Sequence, residues 1–496
     1  MNGRTVKQVG NGPIDPLVWR IAGVVLFGPL MTSLDSTIVN VSLSKLGQQL
    51  HASLAVIQWV TSGYLLALAL MLPLSGWLVD RIGAKRVYLG CFTAFTAASM
   101  LCGFATSAAA LIAFRVLQGM AGGLLAPMAQ MMTARAAGRH VARVMGFMVM
   151  PVMLGPIFGP ALAGVILQHA SWRWIFFINL PIGIFATLRA VWVLPNDARE
   201  TNPRAFDLVG FLLLSPGLVF LLHSLEQLSS NSAAKHLNQL ELLAAIGLVT
   251  AFLVHGARRG PAALIDVHLF RRPSFSAAAL TQFLSNAVIF GGQMLLPLYL
   301  LMARNVSPTR AGALLAPAGL GMLCSYPMMG PLTERFGSRR VSSSGALIAL
   351  LGTLPFALCS APGLSTWATC LALFVRGVGL GSITLPSIAA AYAAIPKETI
   401  PVATTAINIV QRFGGPVATT GLAIFLHSRM HGDSQNLLLP FAGTQLDASA
   451  FAAAFWLLCA VHAFCVIAAL RLPSRPEEGA DEAWQEREQA VAVLAE

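Results

Sequence analysis

The chain alternates apolar runs of about 20 residues with short polar loops. A run of that length is what a helix needs to cross roughly 30 Å of hydrocarbon at about 1.5 Å per residue. Windows of about 19 residues place spans near 18–42, 55–78, 87–105, 109–134, 144–167 and 173–194, then 208–226 and 238–256, then 275–302, 311–332, 341–360, 366–392, 401–427 and 450–471. Charged residues make up 10% of the chain and mean hydropathy is +0.71. A soluble fold cannot carry that balance, because the outer surface must face hydrocarbon as well as the core. The expectation is an all-α integral membrane protein of about fourteen transmembrane spans, grouped 6+2+6.

An internal repeat supports the grouping. The loop Gly76-Trp-Leu-Val-Asp80-Arg81-Ile-Gly83-Ala-Lys85-Arg86 recurs 254 residues later as Gly330-Pro-Leu-Thr-Glu334-Arg335-Phe-Gly337-Ser-Arg339-Arg340. Each copy follows the second span of a six-span half. The expected units are an N-terminal half (1–195), a two-helix insert with its connection (196–273), a C-terminal half (274–472) and an acidic tail (473–496). Two parallel halves around a central site is the geometry of alternating-access transporters.

A net charge of +12 raises the question of nucleic acid. The basic residues sit in short loops between spans and not on one polar domain with aromatic platforms, so no nucleic-acid partner is expected. Most of them fall on alternate loops of one side, which places both termini in the cytoplasm. The polar stretch to Pro16 leads into an apolar run without a small-residue cleavage site, so it reads as an uncleaved first span. The seven cysteines lie in or beside apolar runs with no CxxC spacing and read as small packing residues. No lysine follows a glycine, so there is no P-loop, and HExxH, GxSxG and Cys/His metal sets are missing from the sequence. No enzyme activity, metal or cofactor is expected; protons would be the coupling ion.

Ionisable residues at mid-bilayer cost roughly 2.5–3.5 kcal/mol on insertion scales and mark function by default. Asp35 lies about 17 residues into span one and Arg115 about six residues into span four, which runs the other way. The two therefore share a depth and could share one polar pocket, either as a proton-exchanging site or as a structural pair. In the second half Arg376 and Arg412 fall near mid-bilayer without an acid, and could serve gating, packing or an anionic substrate group. Gln58, Tyr64, Gln282, Asn286, Gln293 and Gln411 are further candidates for cavity lining or interhelical hydrogen bonds. Glu226 reads as an interfacial residue at the outer end of span seven. Span five holds Gly155-Pro156-Ile-Phe-Gly159-Pro160-Ala-Leu-Ala-Gly164, a bending and close-packing element.

Assembled, these segments resemble the major facilitator superfamily, and within it the fourteen-span drug:proton antiporters of the EmrB/QacA type, over about residues 17–472. The loop Gly76 to Arg86 is similar to the superfamily's loop motif, in which the acid and arginine, here Asp80 and Arg81, latch the halves together. Gly83, Arg86, Glu334 and Arg335 belong to the same loops. Arg115-Val-Leu-Gln118-Gly119 resembles the span-four motif tied to proton transfer, and Leu34-Asp35 through Asn40 the span-one signature implicated in coupling. Gly155 to Gly164 resembles the span-five antiporter motif, with Pro160 where a second glycine is usual. Span ten carries no acid, unlike relatives that export dications.

The resemblance implies proton-coupled export of lipophilic drugs or toxic compounds across the cytoplasmic (inner) membrane, with lipophilic cations or weak acids as substrates and membrane lipid as surroundings. The alternatives are a dedicated metabolite or siderophore exporter, an uptake symporter, or a transport-dead sensor. Some relatives work with a periplasmic adaptor and an outer-membrane channel, for which the outward segment 428–449 would be the contact.

Overall fold

The computed structural model describes residues 14–196, 205–229, 235–358, 364–430 and 448–474. Among them there is no strand, and helix accounts for nearly everything. The first half comprises α1 (Pro16–Val25) continuing into α2 (Phe27–Gln49), α3 (Leu54–Met71) with α4 (Leu74–Ile82), α5 (Ala84–Gly103), α6 (Ala108–Ala137), α7 (Val141–Val152) with α8 (Leu154–His169), and α9 (Trp174–Phe177) with α10 (Asn179–Val193). The insert is α11 (Leu208–Ser229) and α12 (Lys235–Arg259). The second half comprises α13 (Pro273–Leu298), α14 (Pro308–Phe336), α15 (Ser338–Leu358), α16 (Thr366–Ala393), α17 (Ile400–Met430) and α18 (Ala448–Leu470). The tail from residue 475 on, most of the segment 428–449, Cys359 and the side chains of Glu226 and Pro156 lie outside the described residues.

Each expected span overlaps one of these helices or a pair of them. Eleven described helices are long and apolar enough to cross a membrane, or twelve if α3 and α4, bent by 55°, form one span. The helix α5 and the broken pair α7–α8 fall outside that set. The bend between α3 and α4 sits at Pro73, whose missing N–H cannot close the helical ladder. Polar residues start the helices where the chain turns back: Ser53, Ser107 and Ser365 each accept a hydrogen bond from the amide three residues on. At the opposite turns the repeat shows in the backbone. Gly83 (φ 97°) ends α4 and Gly337 (φ 83°) ends α14, both in a region that disfavours a side chain, 254 residues apart.

The end of the bundle carrying these two loops is called the basic end below. There one apolar core runs through both halves, joining Val141 and Met145 to Tyr326, Met329, Leu385 and Ile388. Away from it the core divides. One cluster fills the first half, around Ile38, Ile57, Leu111 and Phe176, and another fills the second, around Leu295, Tyr299, Phe356 and Phe455. The halves are thus joined at the basic end and separately packed beyond it.

The insert touches both halves. His223 of α11 stacks on Trp59 of α3 with ring centroids 5.8 Å apart, and Thr420 of α17 donates to the Leu225 carbonyl at 2.8 Å. At the basic end Asp207 is buried at the head of α11 and accepts from the amides of Gly210 and Leu264, both at 3.0 Å, and from His255 Nε2 at 2.9 Å. Burial by itself would push this carboxyl up; the Gly210 amide, the His255 imidazole and the Leu264 amide outweigh it and hold the carboxyl below the usual range.

Candidate functional site

Asp35 of α2 and Arg115 of α6, 80 residues apart, meet as an ion pair with Nη1 to Oδ2 at 2.5 Å, both side chains fully buried. The other carboxylate oxygen takes two more donors, Gln118 Nε2 at 3.0 Å and Asn179 Nδ2 at 2.9 Å. The cage continues outward. Asn179 also donates to Ser99 Oγ at 3.0 Å, Ser99 donates to the Phe176 carbonyl, and Arg115 donates to Gln118 Oε1 and to the Val60 carbonyl. The ring of Tyr64 covers the guanidinium, 4.1 Å from its carbon. Every neighbour of the Asp35 oxygens is a donor, so the geometry fits the carboxylate. Oδ1 carries two donors and Oδ2 one, so a proton would have to use the remaining lone pair of Oδ2 and would take away the charge that these donors hold.

Six helices build this cage: α2, α3, α5, α6, α9 and α10. Gln118 lies one turn beyond Arg115 on α6, and Asn179 heads α10 just after the short α9. Close approach of α6 to α3 requires Gly119, where a Cβ would overlap the Tyr64 carbonyl oxygen and lie 3.1 Å from the Ala67 Cβ.

Span five packs on the same helix that carries Asp35. A Cβ at Gly155 would clash with the Ser33 hydroxyl, and one at Gly159 with the Thr37 hydroxyl. Thr37 donates to the Gly155 carbonyl at 3.1 Å and Ser33 to the Val152 carbonyl at 3.2 Å. Gly164 has nothing within 4 Å of its Cβ position and makes no such contact. Pro160 lies inside α8.

The second half repeats the plan without the acid. Arg376 is buried on α16, the fourth span of its half as α6 is of the first, and donates Nη2 to the Val288 carbonyl of α13 at 2.7 Å. Its guanidinium lies against Gly292, and Nε has no partner. Gln282 donates to the Thr384 carbonyl and to Ser387 Oγ, tying α13 to α16, while Asn286 donates to the carbonyl one turn back. Gln58 and Gln293 are exposed, and Gln411 and Arg412 are half-buried on α17.

Ionic contact between the halves at the basic end is made by Glu334 of α14, which pairs with Arg143 of α7 and with His140 Nδ1 at 2.8 Å. Beside it a Cβ at Gly330 would overlap the backbone of Arg143. Gly76 faces Pro401 and Thr405 of α17, and Ser75 and Thr405 share a 2.6 Å hydrogen bond. Asp80 is buried and lines a small pocket with Trp77, Asp207 and Val402; Arg81, Arg86 and Arg335 are exposed, the last over the Phe336 ring. Sequence reasoning missed Asn179, Ser99, Arg143 and His140. Asn179 had one visible signal, an amide between two apolar stretches.

Among the described residues no cluster of His, Cys, Asp or Glu could hold a metal ion, and the described cysteines are free thiols. What the geometry defines is a two-half membrane protein with a buried carboxylate held by three donors and a small-residue seam at one end. Residues 25–419 match the family model described as Major Facilitator Superfamily. The multidrug resistance protein B homolog of Mycobacterium tuberculosis is 34% identical over 419 residues, 83% of this chain and 77% of that protein. The putative multidrug resistance protein MdtD of Salmonella newport is 36% identical over 339 residues, 67% of this chain and 70% of that one. Among solved structures, the human organic anion transporter MFSD10 (TETRAN) superposes with a TM-score of 0.59 at 14% identity, covering 90% of this chain and all of that one. The proton:xylose symporter XylE does so at 0.60 and 12%, covering 92% and 95%. The chain belongs to the major facilitator superfamily and is a membrane transporter, not an enzyme.

Proposed function

We propose that this transporter exports lipophilic, toxic compounds from the cytoplasm in exchange for protons, as a multidrug efflux antiporter. The names of its relatives in M. tuberculosis and Salmonella support export of drugs. The observation that carries the proton assignment is the Asp35 cage: a buried carboxylate whose oxygens meet only donors. Protonation removes the charge that the Arg115, Gln118 and Asn179 donors hold in place. The link between α2, α6 and α10 then loses its charge-assisted strength and loosens, which couples a proton to helix movement. Arg115 supplies the countercharge, Gln118 and Asn179 hold the deprotonated geometry, and Gly155 and Gly159 let α8 follow α2.

The basic end is the cytoplasmic one on this reading, from the Lys/Arg excess of its loops, with both termini there, fourteen spans, and the inner membrane as the site of action. The joined core and the Glu334 pairs then correspond to the state closed toward the cytoplasm. A periplasmic adaptor and outer-membrane channel would engage the opposite side; the exchange cycle does not require them. The test is proton release on substrate addition to acid-loaded inverted vesicles, titrating ethidium, a mono-cationic detergent and a weakly acidic uncoupler. Wild type releases protons with at least one compound and Asp35→Asn, at equal protein level, releases none. Release by Asp35→Asn at the wild-type rate would refute the assignment.

A further inference from the structure

Helices α14 and α15 both lean on α16. A Cβ at Gly321 would overlap the Phe374 carbonyl oxygen and one at Gly377 the Ala318 carbonyl oxygen, so α14 lies on α16 at backbone distance. Gly379 meets Ala349 and Gly345 meets Ser382 in the same way, which seats α15 on the other side. Between the two walls a cavity of about 410 Å³ remains, within the range that holds a small ligand. Its walls are Cys324, Met328 and Leu332 of α14 and Val341 and Ile348 of α15; Val378 of α16 is the floor, and Phe336 and Arg340 stand at the basic end. The serines of the lining spend their hydroxyls on their own helices, Ser325 on the Met322 carbonyl, Ser344 on Val341 and Ser382 on Val378. The interior is therefore apolar, with one charge at one end.

The cavity opens away from the first half. Helix α14 meets α7 through Tyr326 and Gly330, against Gly146 and Arg143. Cys324, Met328 and Leu332 each lie two residues from one of these, about 200° around the helix. Both α14 and α15 are long and apolar enough to cross a membrane, so this outward face meets hydrocarbon. Its depth is that of one leaflet. From Phe336 to Cys324 the α14 wall runs about 18 Å, and from Arg340 to Ile348 the α15 wall runs about 12 Å, against roughly 15 Å for half the hydrocarbon core.

Charge selects the headgroup. The loop at the basic end carries Arg335, Arg339 and Arg340, and its one acid, Glu334, is taken by Arg143 and His140 of the other half. Arg335 stands over the Phe336 ring, 5.1 Å from its centroid, at the mouth of the cavity. The first turn of α15 holds no acid, so the positive end of its dipole adds to the same field. We propose that this cavity is a binding site for an anionic phospholipid of the leaflet at the basic end, one acyl chain lying between α14 and α15 and the phosphate resting on Arg340. The opposite face of α14 carries Gly330 and Glu334, so the bound lipid braces the helix that closes the basic end.

Cys324 lines the cavity and is exposed, so its thiol reports occupancy. The full chain with Cys324 as its single cysteine is purified in detergent, and labelling by N-phenylmaleimide is timed while dioleoyl phosphatidylglycerol or dioleoyl phosphatidylcholine is added. Ile246→Cys, on an exposed face of α12 in a chain without Cys324, controls for general effects of lipid on the micelle. Phosphatidylglycerol should slow labelling of Cys324 several-fold at concentrations where phosphatidylcholine does little, and should leave Ile246→Cys unchanged. Arg340→Gln should need about fivefold more phosphatidylglycerol for half protection, Arg340→Lys should need about as much as the unchanged chain, and Ser344→Phe, which fills the cavity, should abolish the dependence on lipid. Equal protection by both lipids, no protection by either, or an unchanged requirement in Arg340→Gln overturns the assignment. So does protection without lipid that disappears on removal of residues 475–496, which would give the cavity to the acidic tail, or cross-linking of Cys324 between two chains, which would give it to a second copy.

Discussion

Replacing Gly330 by alanine tests the join between the halves at its tightest point. The new Cβ would overlap the Arg143 Cα and sit 2.5 Å from the Arg143 Cβ and 2.7 Å from its nitrogen. Carbon atoms rest about 3.5–4.0 Å apart, so α14 and α7 must separate by more than 1 Å. The obstacle is backbone and cannot swing away. Overpacking of this kind costs about 1–3 kcal/mol, and only the state closed at the basic end bears it. Alanine's better helix propensity acts on both states alike and cancels. At 1.4 kcal/mol per tenfold, the equilibrium moves about 5- to 150-fold toward opening at that end. In a cysteine-free background, a cysteine at position 408, where Asn408 of α17 donates to Gln130 of α6 at 2.8 Å, reports the change through labelling by an impermeant maleimide applied to the basic end. Labelling should quicken by that factor in Gly330→Ala and stay unchanged in Gly421→Ala, whose Cβ position has nothing within 4 Å. Unchanged or slower labelling in Gly330→Ala would refute the view that the seam is what keeps the basic end shut.

Three further outcomes follow from the geometry. Asp35→Asn leaves a fully buried Arg115 without its counter-charge, a change worth about 3–5 kcal/mol in buried pairs; thermal unfolding in detergent should show Asp35→Asn less stable than the Asp35→Asn/Arg115→Gln double variant. Gly119→Ala should lower the melting temperature, since its Cβ meets the Tyr64 backbone inside the first half, whereas Gly23→Ala, with open space, should not. Asp207 has a folded pKa below its unfolded value, so its stabilisation is complete above about pH 4 and lost as pH falls through the folded value. Wild type should therefore lose melting temperature below about pH 4 more steeply than Asp207→Asn.

Hydropathy made the helices legible, because an apolar run long enough to span a bilayer leaves a strong signal. It could not reveal where α11 packs, since a membrane helix is apolar whether it faces lipid or protein, and only the tertiary fold brings His223 to Trp59 and Thr420 to Leu225. Asp35 and Arg115 were legible as the rare charges at matched depth. Asn179 and Ser99 were not, because amides and hydroxyls occur in spans for many packing reasons and only geometry aims them at a carboxylate. Arg143 and His140 read as ordinary loop cations, and their pairing with Glu334 depends on how the halves meet. Gln58 and Gln293 are polar residues in apolar runs like Gln282, yet they are exposed while Gln282 ties two helices together.

The central claim is that Asp35 takes the proton and that its cage opens when it does. Infrared difference spectroscopy on reconstituted transporter, stepped from neutral to acid pH, reads the carbonyl stretch of a newly protonated carboxylic acid directly. Wild type should gain that band together with amide changes from the Gln118 and Asn179 side chains, and Asp35→Asn should lack both. A protonation band of full amplitude in Asp35→Asn, or one in wild type without the amide changes, would contradict the account.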